Sequence, residues 1–94
     1  MTYFVHVDPI LKRWSQRRGV PLSTRYRDEE VRSFQLIGPA NERAQIWVEV
    51  DATKVSVHVW DYKKRRETLA TDVEGLESSL DLALAQAMSW TSQR

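Results

Sequence analysis

His58 is the residue best placed to do acid–base chemistry. It lies in a run, residues 55–60, where apolar and polar side chains alternate, and Glu49 and Glu67 are the carboxylates within its reach. A histidine beside a carboxylate can act as a general base. A base needs something to activate, and the sequence supplies neither an evident nucleophile nor an oxyanion hole. The only other histidine, His6, stands apart, and two isolated histidines without ligand spacing do not make a metal site. The absence of cysteine excludes disulfides, thiolate zinc sites and a cysteine nucleophile. No phosphate-binding glycine loop, nucleophile elbow or zinc-protease helix motif occurs, and Gly19, Gly38 and Gly75 are too far apart to form one. The expectation is a chain without cofactor or metal, not an enzyme, in which His58 packs among tryptophans.

Basic residues form the second group with chemical potential. Arg13, Arg17 and Arg18 share the first predicted helix with Lys12, Arg25 and Arg27 flank Tyr26, and Lys63, Lys64, Arg65 and Arg66 run consecutively at a predicted hairpin tip. Such groups can contact phosphates, or simply keep a helix face and a loop in water. The net charge of +1 argues against the whole molecule being an electrostatic partner of nucleic acid or anionic membrane. Basic residues are in excess up to Trp47 and acidic residues after it.

The elements that must carry these residues follow from periodicity. Asp8-Pro9 reads as a helix start, with Asp8 as N-cap and Pro9 in the first turn, and Gly19 as its stop. Residues 3–7 read as a short edge strand or an apolar lead-in to that helix. Residues 22–32 are hard to assign, with one helical turn at 28–32 the best reading, and residues 33–37 read as a strand ended by Gly38-Pro39. The clearest signal is a hairpin. Ala44, Ile46, Val48 and Val50 alternate with polar or aromatic residues, residues 51–54 are turn-like, and Val55, Val57 and Val59 alternate again. A third β segment is expected at 66–70. A helix starting near Thr71 or Asp72 carries Val73, Leu76, Leu80, Leu84, Ala87 and Met88 on one face, and residues 91–94 read as its frayed tail.

Pairing Val50 with Val55 gives the hairpin two unlike faces. Six aliphatic side chains line one, which the C-terminal helix should cover. The other carries Trp47, Glu49, His58 and Trp60, with Tyr62 just beyond, and sets Trp47 opposite His58. That face is too polar for a main core and too aromatic for plain solvent. Either the first helix or the segment at residues 3–7 covers it, with Trp14 meeting Trp47 and Trp60, or it is open and binds protein, including a second copy of the chain.

The helix–strand–strand–strand–helix order resembles the double-stranded RNA-binding domain, as does Gly38-Pro39 followed by the strand at 44–50. The resemblance implies a fold and an RNA-binding surface. Where that family has a loop histidine this chain has Asn41 and Glu42. Where it has a lysine-rich start to the last helix, this chain has Asp72, Val73, Glu74 and Glu77, which would repel a phosphate backbone. The resemblance therefore extends to topology and not to RNA binding.

The reading is a single α+β domain over residues 1–94, with a three- or four-stranded antiparallel sheet between two helices. The composition, 41% hydrophobic and 29% charged, is that of a folded chain. No apolar stretch approaches the roughly 20 residues that span a bilayer, and residues 1–10 do not read as a secretory leader, so a cytoplasmic location is expected. The expected function is protein–protein contact or homodimerisation through Trp47, Glu49, His58, Trp60 and Tyr62. The alternative is nucleic-acid binding through Arg13, Arg17, Arg18 and the tip at Lys63, Lys64, Arg65 and Arg66.

Overall fold

The computed structural model describes residues 4–51 and 54–92. Its elements are α1 (Phe4–Arg18), β1 (Leu22–Tyr26), β2 (Glu29–Ile37), β3 (Arg43–Asp51), β4 (Lys54–Trp60), β5 (Arg66–Thr71) and α2 (Leu76–Ser92). The strands form one antiparallel sheet in the order β1-β2-β3-β4-β5, each pairing with its neighbour in sequence. The α+β class with a helix at each end is as expected, but the sheet has five strands rather than three or four. The order therefore departs from the helix–strand–strand–strand–helix arrangement of the double-stranded RNA-binding domain.

The additional strand comes from residues 22–32. Instead of a helical turn at 28–32, Tyr26 pairs with Glu29 around Arg27 and Asp28, whose φ angles are 51° and 69°. Two successive left-handed residues match a type I′ turn, whose twist suits a two-residue hairpin. The β3–β4 hairpin has the register read from its alternation: Val50 opposite Val55, Val48 opposite Val57, Ile46 opposite Val59. The two central residues of its turn, 52 and 53, lie outside the described residues, as do Tyr3 and the end of the tail at 93–94.

Both helices pack on the aliphatic face. The core joins Ile46, Val48, Val55, Val57 and Val59 of the sheet to Leu76, Leu80, Ala83 and Ala87 of α2, and to Val7, Leu11 and Trp14 of α1. Trp14 is fully buried, its ring set edge-on to Phe34 of β2 at 5.0 Å. Its indole N–H donates to Asp81 of α2 at 2.9 Å. Arg18 binds the same carboxylate at 2.8 Å, and Arg13 and Arg17 bind Glu77 at 2.7 and 3.0 Å. The acidic start of α2 thus serves to hold α1.

α1 begins at Phe4, so residues 4–7 are its first turn rather than a strand, and Asp8 and Pro9 lie inside it. Asp8 is not a cap. It receives two hydrogen bonds from Arg32 of β2, at 2.6 and 3.0 Å. Arg32 is only 6% exposed; it also donates to the Val31 carbonyl at 2.7 Å and stacks 4.3 Å from the Phe4 ring centroid. The contact with Asp8, opposed by burial and reinforced by Glu30, holds the guanidinium pKa above its ordinary value.

α1 stops at Gly19 (φ 69°), where the N–H groups of Gly19 and Val20 both reach the Ser15 carbonyl at 2.9 and 3.1 Å. At the other end of the core a Cβ on Gly38 would strike the Thr91 carbonyl, so only glycine lets the β2–β3 loop approach α2. Helix α2 starts later than expected: Thr71 belongs to β5, and Asp72 accepts from the Gly75 N–H at 2.8 Å ahead of the first turn.

The Asp81 carboxyl is held below its ordinary value chiefly by the Trp14 indole and, against some desolvation, by Arg18. Glu77 is held low chiefly by its hydrogen bond from Arg13, with Arg17 assisting. A carboxyl lowered by folding contributes stability above its unfolded pKa of about 4, and that stability disappears as pH falls below this value and through the folded one. Denaturant unfolding should therefore show stability declining below about pH 4. Asp81→Asn should flatten that decline while keeping an acceptor for Trp14. Asp81→Ala should cost about 1–3 kcal/mol at neutral pH, because it leaves a buried indole N–H without a partner.

Candidate functional site

Strand alternation and register place the candidate residues in rows across the face opposite the helices. One row is Ser33, Trp47, His58 and Thr68, on β2 to β5 in turn. The next is Gln35, Gln45, Trp60 and Arg66. A third holds Glu49, Ser56 and Ala70. Neither described helix covers this face. The expectation that α1 or residues 3–7 cover it, with Trp14 meeting Trp47 and Trp60, is corrected for the described residues: residues 4–7 are part of α1, and Trp14 is on the other side of the sheet, against Phe34 and Asp81.

The side chains of the face lean on one another. Trp47 and His58 stack at 4.7 Å with 15° between their planes, as direct opposition on neighbouring strands allows. His58 Nε2 meets Glu49 at 2.6 Å, and Nδ1 meets the Thr68 hydroxyl at 2.9 Å. A carboxylate can only accept, so Nε2 donates to Glu49, and in the neutral form of the ring Nδ1 accepts from Thr68. Both ring nitrogens are thus engaged. The carboxylate near His58 is Glu49, while Glu67 opposes Val59 and so alternates to the other face.

Trp60 packs against Tyr62 at 4.7 Å, and Gln35 donates to the Tyr62 hydroxyl at 3.2 Å. The Arg66 guanidinium lies over both tryptophans, 5.4 Å from the Trp47 centroid and 5.7 Å from that of Trp60. An arginine over two aromatic faces gains from the ring quadrupoles and leaves its edge in solvent. Trp47, His58 and Trp60 are half-buried by these contacts, and Tyr62 remains exposed.

The loop at the edge of the face is built by Asp61. Its carboxylate accepts from the backbone N–H groups of Lys63 and Arg65 at 2.8 and 3.0 Å, and pairs with the Arg65 side chain at 3.2 Å. Partial burial pushes this carboxyl up, but these three contacts together bring it below its ordinary value. The loop sets Tyr62 at a φ of 66° and turns its ring onto Trp60.

The basic residues are not one patch. Arg13, Arg17 and Arg18 are engaged by α2, Arg65 by Asp61 and by the Trp90 ring at 5.6 Å, and Arg66 by the tryptophans. Lys63 and Lys64 are exposed at the tip. Among the described residues, no group of three or more acidic, histidine or cysteine side chains is placed to hold a metal ion. No described helix is long and apolar enough to cross a membrane.

If this face is a surface and not a second core, its tryptophans differ sharply from Trp14. Trp14→Ala should cost about 3–5 kcal/mol in urea unfolding. Trp47→Ala and Trp60→Ala should each cost about 1 kcal/mol, the scale of a cross-strand pair, and leave the far-ultraviolet spectrum unchanged.

No family model, curated protein or solved structure matches the chain.

Proposed function

We propose that this chain is a non-enzymatic binding domain that docks protein, either another chain or a second copy of itself, on the face of Trp47, Glu49, His58, Trp60 and Tyr62. The observation that carries the reading is the one-sided placement of the helices: α1 and α2 both pack on the aliphatic face, and the tryptophans opposite are left for something else. Half-buried tryptophans and an exposed tyrosine supported by arginine are of the residue types that dominate protein interfaces. Their mutual stacking lowers the entropy lost when a partner arrives, since the rings are already fixed. Alternation sets the carboxylates of Glu29 and Glu49 on this face beside the Arg66 guanidinium, which suits a protein surface better than a polyanion. In this reading the contacts of His58 with Glu49 and the Thr68 hydroxyl hold its ring against Trp47.

Two measurements test the reading. Sedimentation at rising concentration reads self-docking, and binders selected on the wild type from a phage-displayed peptide library read docking of other chains. Trp47→Ala or Trp60→Ala should abolish either association. Associations that ignore both substitutions, or a preference for single-stranded nucleic acid that falls steeply with salt, would overturn it.

A further inference from the structure

The pairing of β2 with β3 runs from Ile37 opposite Arg43 to Ser33 opposite Trp47, and there it stops. Continued by one register, Arg32 would face Val48 and Val31 would face Glu49. Among the described residues, no such pair joins residues 29–32 to residues 48–51. Each strand keeps its other neighbour: Glu29 and Glu30 pair with Tyr26 and Arg25 of β1, and β3 pairs with β4 as far as Asp51 and Lys54. The sheet is therefore split between its second and third strands. An open groove of ≈ 690 Å³ runs from the split onto the aromatic face, where Trp60 and Tyr62 also line it.

The groove has two characters. Phe4, Tyr26, Val31, Trp47 and Val50 give it apolar walls. Glu29 and Glu30 on the β2 side and Glu49 on the β3 side give it carboxylates. Among the described residues that line it the one cation, Arg32, is shared between Asp8 and Glu30, and Arg66 stands over Trp47 and Trp60 at its far side. Its charge is thus negative, opposite to that of the Lys63–Lys64 tip.

We infer that this split is a binding site for an extended peptide segment with alternating apolar and basic residues. The inference rests on the protein-docking reading and names the ligand within it. Two strand segments that no longer pair with each other offer backbone groups to a chain laid between or along them. Side chains of an extended segment alternate in direction, so one set meets the aromatic and valine walls while the other reaches the carboxylates. A phosphate backbone or an acidic segment meets repulsion from Glu29 and Glu49, while Glu30 is paired with Arg32.

The probe is a fluorescein-labelled octapeptide of alternating lysine and valine, followed by anisotropy and by amide chemical shifts of the protein. The Lys-Val peptide should bind at least tenfold more tightly than a Glu-Val octapeptide, and N-methylation of alternate residues should weaken it at least tenfold by removing backbone donors. Shifts should concentrate at residues 29–33 and 47–50. The double variant Glu29→Lys, Glu49→Lys should weaken binding about tenfold, and Val31→Trp, which fills the groove, should abolish it with the fold intact by circular dichroism. Equal binding of the acidic peptide, or no binding of either, overturns the groove. Binding that survives Val31→Trp, with shifts at Thr68 and Ala70 instead, also overturns the groove, yet leaves docking on the flat face standing.

Discussion

The arrangement depends on one hydrogen bond and the ring that makes it. Trp14 is fully buried against Phe34 and delivers its indole N–H to Asp81, so α1 is tied at once to the sheet and to α2. A buried indole N–H without an acceptor is costly, and only the α2 side of the sheet offers this one. The arginines of the same helix add ion pairs to Glu77 and Asp81, each exposed enough to be worth little alone. Their joint effect is directional: they fix which face α1 takes. With both helices committed to the aliphatic face, the described residues leave the opposite face to its own side chains, with Phe4 of α1 at the edge of its groove.

That company is organised. Stacking of Trp47 on His58, Trp60 on Tyr62 and Arg66 over both tryptophans replaces a covering element with lateral contacts. Asp61 supports this from outside, since its loop sets the direction of Tyr62. At the other end, Arg32 bonded to Asp8 holds β2 to α1, beside the split from β3. A surface whose rotamers are locked by neighbours is pre-organised for contact, and the split beside it adds concavity.

The sequence made some of this legible. Strict alternation around the β3–β4 turn fixed the hairpin register, because a slip of one residue would have turned every valine outward. The same alternation put Trp47 beside His58. The β1–β2 hairpin was hidden because Arg27-Asp28 takes left-handed angles that usually announce themselves as Asn-Gly. Asp8 looked like a cap, since N-capping is local while its real partner, Arg32, is 24 residues away. The arginines of α1 looked free for the same reason: their partners on α2 lie 60 or more residues on. The split between β2 and β3 depends on where a ladder ends, which no single segment encodes.

The central claim is that Trp47 and Trp60 form a surface while Trp14 and Trp90 do not. Hydroxyl-radical footprinting of the dilute protein, read by mass spectrometry at each tryptophan, tests it most directly. The account predicts fast oxidation at Trp47 and Trp60, and slow oxidation at Trp14 and Trp90, which are 0% and 7% exposed. Protection of Trp47 and Trp60 equal to that of Trp14 would mean that the face is covered, and would contradict the account.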